Sequence, residues 1–507
     1  MAGTLMAVTT IGLLTAQSTA GAAGDAPAAY TSTPLAGAVP GPLTVKNDRF
    51  VDADGRVVFL HGLFGVWKIP GGLPPDNTDP DGFTPADADT VASMGFDGFR
   101  LAWFWSDLEP TQGQYDTTYL AGYKALATEL EQRGLFVLAD SHQDMYSSVF
   151  NGDGFPTWAS PASDTDPNPE AFPLNYFTAP TEKAFDDFWA NDDNVQDQYD
   201  AAWKQVASQF VGDPLLVGYD LLNEPFPGSD AGSCLGAKGC KASDQSNIEA
   251  AETRAAQAID TVDSSHISFY EPNILFNWGQ PTGLTKAPAT ETNVGLSFHD
   301  QCAERAVWEG SGGGTQPTPA QEASCLQQME LPLNAAARTA GRMDAVPFMT
   351  EVATITNDDP AGLECVFEKA DAHQTSWTYG LSWKSGELQT LDPAKAAVLA
   401  RTYPVAVAGN PTSFNFNART GIFHMKYTAS GGTVPTVISV PTAIHYPNGY
   451  QVKIQGGGVV TSAPGAQQLT LTAPAGARIS LRVAPIGKVT TAASSLPSCA
   501  SLLNPSS

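Results

Sequence analysis

The sequence lacks the short motifs that mark several large enzyme classes. It has no GxGxxG run after an apolar strand pattern, no Walker sequence and no GxSxG elbow, so dinucleotide binding, nucleotide hydrolysis and serine-hydrolase chemistry have no support. Its seven histidines are scattered, with no HExxH and no cluster of Cys and His. We therefore expect neither a metal nor a cofactor.

Basic residues are also scarce. Lys and Arg total 26 against 53 Asp and Glu, which gives a formal net charge of −27. A surface this acidic repels phosphate backbones and anionic membrane faces. We therefore do not expect nucleic acid as a partner, and we attribute the charge to solubility outside the cell.

Long apolar runs are missing too. No segment has about 18 or more apolar residues in a row, so the sequence predicts no transmembrane helix. The N-terminal segment is mostly apolar from Leu5 to Thr15, and small residues follow at Ala20, Gly21 and Ala22, as in a secretory signal peptide. The usual Lys or Arg before the apolar stretch is absent. We predict a signal peptide and leader over 1–29 and a secreted protein.

The cysteines are few but even in number, which suits disulfides in an oxidising compartment. We expect them to pair in the order in which they occur: Cys234 with Cys240, Cys302 with Cys325 and Cys365 with Cys499. The first pair brackets a loop rich in Gly and Lys, and the second flanks a glycine-rich stretch. The third pair is what remains, and spacing alone does not establish the connectivity.

Short apolar runs alternate with helical patterns along most of the chain. Eight runs are candidate strands: Val57–His61, Gly98–Ala102, Phe136–Ser141, Leu216–Asn223, Ile267–Glu271, Val294–His299, Phe348–Glu351 and Gly380–Trp383. Predicted helices between them include Pro85–Met94, Tyr119–Arg133 and Gln196–Phe210. Eight alternating units predict an α/β fold, a (β/α)8 TIM barrel over 30–403, with an open doubly wound sheet as the competing fold.

The pattern changes near Pro404. Residues 405–488 contain period-two runs such as SFNFNA, GYQVKI and ARISLRV, separated by turns of Gly, Pro and Asn. This pattern predicts a small antiparallel β-sandwich domain over 404–488. Residues 489–507 form a tail rich in Ser and Pro.

Chemistry in such a barrel lies at the carboxyl ends of the strands. The candidate strands deliver there Arg100, His142, Gln143, Asp144, Asn223, Glu224, His299, Glu351 and Trp383. Glu224 and Glu351 follow the fourth and seventh strands, which face each other across the barrel mouth. Two carboxyl groups about 5–5.5 Å apart cleave a glycosidic bond with retention, one as acid/base and the other as nucleophile.

Several sequence runs resemble one glycosidase family. YDLLNEPF (Tyr219–Phe226) and FMTE (Phe348–Glu351) resemble segments of the cellulase-like clan of retaining glycosidases. GVWKIP (Gly65–Pro70), DGFRLAWFWSDLEP (Asp97–Pro110) and DSHQDMYS (Asp140–Ser147) are similar to the endoglycoceramidases of glycoside hydrolase family 5. The resemblance implies a retaining endo-β-glycosidase that hydrolyses the bond between oligosaccharide and ceramide in glycosphingolipids. Its substrate would lie in micelles or at a membrane surface, and we expect a monomer.

The resemblance also implies roles, carried over by matching position. Glu224 would be the acid/base and Glu351 the nucleophile. Arg100 would keep Glu351 charged, and Asn223 would hydrogen-bond the sugar 2-hydroxyl. The remaining implied substrate contacts are Lys68, His142, Asp144, His299, Gln301 and Trp383, the last as a stacking floor.

One departure concerns the innermost sugar. Family members with the broadest action have a tyrosine shortly after the histidine of the sixth strand, but here Asp300 and Gln301 follow His299. This difference leaves two candidates for the innermost sugar: glucose, or galactose as in an endogalactosylceramidase-like relative. Two other functions stay open. One is a secreted endo-β-glucanase or β-glucosidase, and the other is a carbohydrate-binding or adhesin protein whose barrel no longer catalyses.

Overall fold

The structure of the 507-residue chain is a computed structural model. It describes residues 39–74, 82–160, 173–236, 238–285, 293–310, 316–356, 359–381, 387–487 and 490–505. The strands of these residues are β1 (Thr44–Val45), β2 (Phe50–Val51), β3 (Val57–Val58), β4 (His61–Gly65), β5 (Gly98–Trp103), β6 (Phe136–Ser141), β7 (Leu216–Asp220), β8 (Ile267–Tyr270), β9 (Val294–Gln301), β10 (Val346–Ala353), β11 (Ser376–Gly380), β12 (Tyr403–Val407), β13 (Gly409–Asn417), β14 (Ile422–Ala429), β15 (Thr436–Ser439), β16 (Tyr450–Gln455), β17 (Val459–Val460), β18 (Gln468–Thr472) and β19 (Arg478–Pro485).

Helices connect most of the barrel strands. They are α1 (Pro85–Ser93), α2 (Trp105–Leu108), α3 (Thr117–Glu131), α4 (Ala179–Trp189), α5 (Val195–Ala207), α6 (Ala231–Cys234), α7 (Lys241–Ser243), α8 (Glu249–Asp260), α9 (Ala303–Gly310), α10 (Pro319–Gln328), α11 (Glu330–Met343), α12 (Pro360–His373), α13 (Pro393–Leu399), α14 (Thr442–His445) and α15 (Cys499–Leu503). The start of α1 is fixed by its sequence. Thr84 and Asp87 each accept the backbone N–H of the other, and Pro85 fills the first helical position. Of the helices in the described ranges, none is long and apolar enough to cross a membrane.

A closed barrel of parallel strands forms the centre of the molecule. Strands β4 to β11 pair in chain order and β11 pairs with β4, so that eight strands of the described residues complete the circle. The predicted TIM barrel is confirmed, and the open doubly wound sheet is wrong. The carboxyl ends of all these strands therefore meet at one mouth.

The first and last predicted barrel strands were misplaced. Val57–Val58 is apolar because it belongs to another sheet, and the barrel strand is His61–Gly65 instead. A side chain at Gly62 would meet the backbone oxygen of Gly98 at 2.0 Å, so this strand needs glycine to approach its neighbour. The eighth strand is Ser376–Gly380 rather than Gly380–Trp383.

Two antiparallel sheets follow the barrel, as the predicted sandwich requires. Within the described part of the chain, one has the order β13-β14-β19-β16 and the other the order β1-β2-β3-β12-β15-β18-β17. The larger sheet therefore includes strands that precede the barrel in sequence. Val57 pairs with Val407 and Val58 with Ala406, so the chain enters this sheet before and after the barrel.

A buried arginine joins the barrel to the sandwich. Arg401 donates to Glu364 Oε2 at 2.5 Å and to Asp371 Oδ2 at 2.9 Å, and both carboxylates lie on α12. The same carboxyl groups accept backbone N–H bonds from the β13 region, at Ala418 (2.7 Å) and Phe416 (2.9 Å). Arg401 therefore neutralises the two α12 carboxylates that bind the backbone of the sandwich at Phe416 and Ala418.

The cysteines form three disulfides: Cys234–Cys240, Cys302–Cys325 and Cys365–Cys499. These are the pairs expected from the sequence. The first disulfide closes a loop after barrel strand β7, and the second links the end of β9 to α10. The third attaches α15 to α12, and so ties the C-terminal residues to the barrel.

Candidate active site

Arg100 organises the floor of the barrel mouth. Its side chain is fully buried at the third position of β5. The guanidinium donates to Glu351 Oε1 at 2.7 Å, Asp220 Oδ2 at 2.8 Å, Asn223 Oδ1 at 2.8 Å and Asp140 Oδ1 at 3.0 Å. Burial lowers the pKa of Arg100, but the surrounding carboxylates outweigh burial and raise it above its ordinary value. One permanent cation thus holds side chains from three other strands in fixed positions.

Glu351 faces this cation from β10. The pairing of β10 with β9 shifts register between Met349 and Glu351, an irregularity that re-aims a side chain. After the shift, Glu351 lies opposite His299 in the register. Its side chain is 14% exposed and borders a cleft, so the carboxylate has a fixed cation on one side and open space on the other.

Glu224 lies beyond the end of β7 in an unusual backbone conformation. Its φ is 44°, in the left-handed region that costs a residue with a side chain about 1–3 kcal/mol. The backbone N–H of Glu224 donates to Glu271 Oε1 at 2.9 Å. Asn277 Nδ2 donates to Glu224 Oε1 at 2.7 Å. Backbone and side chain are therefore both held by groups from the segment that follows β8.

The imidazole of His299 lies between the two carboxylates. Its Nδ1 is 2.8 Å from Glu224 Oε1, and its Nε2 is 3.8 Å from Glu351 Oε1 and 3.5 Å from Glu271 Oε1. Burial lowers the pKa of His299, but Glu271, Glu351 and Glu224 outweigh burial and raise it to about 10. A protonated ring donates from Nδ1 to Glu224, and its two nitrogens place both carboxylates beside one side chain.

A second charged cluster lies at the end of β6. His142 Nδ1 is 2.9 Å from Asp140 Oδ2, and its Nε2 is 3.5 Å from Asp144 Oδ2. Burial lowers the pKa of His142, but Asp140 and Asp144 raise it to about 10. Lys68 forms an ion pair with Asp144 and lies 3.9 Å from Asp153 Oδ2.

This cluster also has the donor set of a metal site. Ligand atoms of His142, Asp144 and Asp153 lie within 4.8 Å of one another. The ammonium group of Lys68, however, already lies against both aspartates and supplies the positive charge there. The cluster therefore presents fixed donors and acceptors of the kind that bind sugar hydroxyls.

A cleft of about 450 Å³ opens above these groups. Of the residues predicted to bind substrate or catalyse, those that line it are Lys68, His142, Asp144, Asn223, Glu224, Gln301 and Glu351. Arg100 and His299 are fully buried beneath it. Trp383 lies outside the described residues. The structure thus brings the described candidates together at one site.

The cleft wall beside Glu224 is apolar. The 3₁₀ helix Ile274–Trp278, which places Asn277 on Glu224, also lines the cleft with Ile274 and Trp278. Phe226 and Phe177 continue this wall, with their rings 5.5 Å apart in an edge-to-face contact. The cleft therefore has an apolar patch beside Glu224 and a charged patch at Lys68, His142 and Asp144, within a lining that mixes polar and apolar side chains.

Two residues in contact with Glu224 were not predicted from the sequence. Glu271 ends the fifth candidate strand just as Glu351 ends the seventh, so its position at the barrel mouth could have been predicted from the sequence. Asn277 lies in a short helix after that strand and had no such signal. Both are buried.

Family comparisons place this geometry among known enzymes. Residues 76–386 match the model described as Cellulase (glycosyl hydrolase family 5), and residues 401–483 match the glycoside hydrolase family 5 C-terminal domain. The chain belongs to glycoside hydrolase family 5. It is therefore a glycoside hydrolase, and the resemblance to the endoglycoceramidases of family 5 is confirmed by the relatives below.

Several family 5 relatives match over most of their length. Endoglycoceramidase I of Rhodococcus hoagii (strain 103S) is 33% identical over 456 residues, 87% of this chain and 88% of that protein. Endo-glycoceramidase II from Rhodococcus sp. is 25% identical, with a TM-score of 0.66. The match to its structure with ganglioside GM3 covers 87% of this chain, and the match to its lactosyl-enzyme intermediate covers 88%. Both matches cover 100% of the solved chain. A crystal structure of an endogalactoceramidase, 21% identical with a TM-score of 0.61 over 89% of this chain and 100% of that one, shares the fold.

Proposed function

We propose that this family 5 enzyme is an endoglycosylceramidase, which hydrolyses the β-bond between the oligosaccharide and the ceramide of a glycosphingolipid. One observation carries the proposal. Glu224 and Glu351 share the His299 ring at the floor of a cleft that has a charged patch and an apolar patch. The relatives named endoglycoceramidase, and the neighbour that holds a ganglioside and a lactosyl-enzyme intermediate, support the same substrate class and a retaining mechanism.

The first step transfers the sugar to the enzyme. A carboxylate oxygen of Glu351 attacks the anomeric carbon, and the bond from that carbon to the ceramide oxygen breaks. Glu224 gives its proton to the departing oxygen. Asn277 and His299 both reach Glu224 Oε1, so the transferable proton sits on Oε2. Arg100 and His299 keep positive charge beside Glu351 before the attack.

The second step releases the sugar. Water attacks the anomeric carbon of the glycosyl-enzyme, Glu224 takes one proton from it, and Glu351 leaves as a carboxylate. Two inversions at the same carbon give overall retention. Asn223, whose Oδ1 is held by Arg100 and whose Nδ2 donates to the backbone oxygen of Gln143 at 3.0 Å, is fixed where the sugar 2-hydroxyl would lie.

The charged patch and the apolar patch of the cleft suit the sugar and the lipid parts of an amphiphilic substrate. The charged patch, with Lys68, His142 and Asp144, would bind the sugar next to the cleaved bond. The apolar patch beside the acid/base would accept the start of the ceramide, since Glu224 must reach the ceramide oxygen. At the rim, Leu174 and Phe177 are 58% and 37% exposed, which suits capture of the lipid from a micelle or membrane surface.

The enzyme would act outside the cell as a monomer. Three disulfides suit an oxidising compartment. The two carboxylates and the groups that hold them come from one chain, so the reaction needs no second copy.

The proposal is tested by product analysis. The purified protein is incubated in detergent with a glucosylceramide-based ganglioside and with a 6-linked galactosyl-galactosylceramide, and products are identified by mass spectrometry. We expect an intact oligosaccharide and free ceramide from at least one lipid, and the lipid that reacts identifies the innermost sugar. Glu351→Gln, which cannot form the glycosyl-enzyme, is the control. Stepwise loss of single sugars, or cleavage of soluble β-glucan alone, would instead support the β-glucosidase or endo-β-glucanase alternatives.

A further inference from the structure

Glu271 is a further buried carboxyl group of the active site, and it has no role in the steps above. It directly follows β8, and its side chain is fully buried. Its Oε1 accepts the backbone N–H of Glu224 at 2.9 Å and lies 3.5 Å from His299 Nε2. Its own N–H donates to Glu252 Oε1 at 2.9 Å, so Glu271 is itself fixed to α8.

The hydrogen bond from the Glu224 N–H to Glu271 stabilises an unusual backbone conformation. Glu224 has a φ of 44°, a conformation that residues with side chains rarely adopt, and its peptide N–H points into the protein. A buried N–H without an acceptor is strongly disfavoured. The Glu271 oxygen therefore holds this conformation, which sets the direction in which the Glu224 side chain leaves the chain.

A second contact reaches Glu224 through the histidine. The Glu271 oxygen faces Nε2 of His299, while Nδ1 of the same ring contacts Glu224 Oε1. At 3.5 Å this contact is an ion pair rather than a hydrogen bond, and a negative charge there favours the protonated ring that donates from Nδ1 to Glu224. Glu271 therefore acts on Glu224 from two sides, through the peptide N–H and through the imidazole.

We propose that Glu271 is a positioning residue for the acid/base, because its carboxyl group aims Glu224 at the leaving-group oxygen. The proposal rests on the role of Glu224 in the proposed function, but not on the identity of the lipid. This role differs from that of Glu351, whose carboxylate faces Arg100 and His299.

Several charged groups surround Glu271 and determine its protonation. They are Arg100 from β5, Asp220 and Glu224 from β7 and its extension, Glu252 from α8, and His299 from β9. Burial raises the pKa of Glu271 to about 8, more than His299 and Arg100 lower it. Glu271 thus ionises on the alkaline side of neutrality, and its negative charge then keeps the neighbouring imidazole protonated.

The decisive experiment compares two substrates whose leaving groups differ in their need for protonation by Glu224. We compare kcat/KM for phenyl β-lactoside, whose phenolate needs an acid, with kcat/KM for 2,4-dinitrophenyl β-lactoside, whose leaving group departs without one. If the product analysis identifies galactose as the innermost sugar, the corresponding 6-linked galactosyl-galactosides replace the lactosides. Glu271→Ala should lower the first by about 100-fold or more, the size of a lost general acid, and the second by less than about threefold. Glu271→Gln keeps an acceptor oxygen for the Glu224 N–H and should restore most of the activity near pH 6.

The control removes a buried carboxylate far from the cleft. Glu364→Gln alters the barrel–sandwich contact and should affect both lactosides equally. Equal losses on both substrates in Glu271→Ala would overturn the proposal, because they would indicate general damage to the fold.

A second measurement remains decisive if Glu271→Ala does not fold. In Glu271→Gln the negative charge beside Nε2 is gone, so His299 should lose its proton at lower pH. The alkaline limb of kcat/KM on phenyl β-lactoside should then move towards neutrality, and the ¹⁵N signals of His299, assigned with His299→Asn, should titrate at lower pH. An unchanged limb and an unchanged titration would refute the positioning role. Wild-type activity on aryl lactosides without activity on ceramide lipids would refute the proposed substrate while leaving Glu271 testable.

Discussion

Glu224 and Glu351 differ in what surrounds them, and this difference assigns their roles. Glu351 has a guanidinium at 2.7 Å and an open side towards the cleft, as a nucleophile requires. Glu224 receives two donors on one oxygen, which leaves the other for a proton. Each arrangement has a distinct chemical consequence when the carboxyl group is removed.

We predict that azide rescues the two alanine variants with opposite stereochemistry. Glu224→Ala still forms the glycosyl-enzyme from 2,4-dinitrophenyl β-lactoside, and azide then attacks from the face that water would use, which gives a β-glycosyl azide. Glu351→Ala loses activity on the order of 10⁴-fold or more, and azide in the space of the carboxylate gives an α-glycosyl azide from the same substrate. The anomeric proton coupling in NMR spectra distinguishes the products.

Another carboxyl group in the cleft lining supplies the control for azide rescue. Glu309 lines the cleft and is ion-paired with Arg305 at 2.6 Å. Glu309→Ala should yield no glycosyl azide. A β-glycosyl azide from Glu351→Ala would reverse the assignment of the two catalytic carboxylates.

At the scale of elements, apolar runs bounded by polar ends predicted most of the barrel. The fourth and seventh strands could be placed because Glu224 and Glu351 follow clear apolar runs. The first strand could not, since Val57 and Val58 are apolar for the sandwich sheet, whereas His61–Gly65 contains two glycines and has no strand pattern. Asn277 was hidden for a related reason: its role depends on a 3₁₀ helix that folds back over Glu224.

The turn between α8 and β8 depends on one charged residue. Asp263 Oδ2 accepts the Tyr219 hydroxyl at 2.6 Å and faces His266 Nδ1 at 2.5 Å, and Oδ1 accepts the N–H of Ser265 at 3.0 Å. Burial raises the pKa of Asp263, but these hydrogen bonds outweigh burial and lower it below its ordinary value. The stabilisation is therefore complete above the unfolded pKa of about 3.9 and is lost as pH falls through the lower folded value.

We predict that Asp263→Asn destabilises the protein in a pH-dependent manner. At pH 7 the free energy of unfolding should fall by about 2 kcal/mol, because hydrogen bonds to a charged acceptor are lost. Below about pH 4 the difference from wild type should shrink, since Asp263 then takes up a proton in the unfolded wild-type chain while the folded carboxylate stays charged. Urea denaturation at pH 7 and pH 3 measures both values. Asp260→Asn, at an exposed aspartate that ends α8, should show no loss at either pH. A difference that stays constant with pH would contradict this account.

At the scale of the whole molecule, the barrel and the sandwich share secondary structure. Strands β1 to β3 precede the barrel in sequence but pair within the sandwich sheet, through β3 and β12. The barrel strands lie in one continuous segment, but the sandwich strands lie on both sides of it in sequence. We therefore expect the two parts to unfold together, in one cooperative transition.

The buried Arg401 network tests this coupling. Arg401→Met would leave Glu364 and Asp371 buried without their cation, and breaking a buried ion pair in this way costs about 3–5 kcal/mol. Because α12 belongs to the barrel and Phe416 and Ala418 belong to the sandwich region, both parts should lose the same stability. All ten tryptophans precede residue 401, so fluorescence and activity on an aryl lactoside both report on the barrel. Hydrogen exchange at the backbone amides of β13 and β14 reports on the sandwich. Urea should give one transition, at lower concentration than in wild type, by activity and by exchange. Arg478→Met, at an exposed arginine of the same sandwich, should leave the midpoint nearly unchanged. If instead exchange at the β13 and β14 amides rose at a urea concentration where activity was still intact, the sandwich would unfold separately, as an attached domain rather than as part of one folding unit.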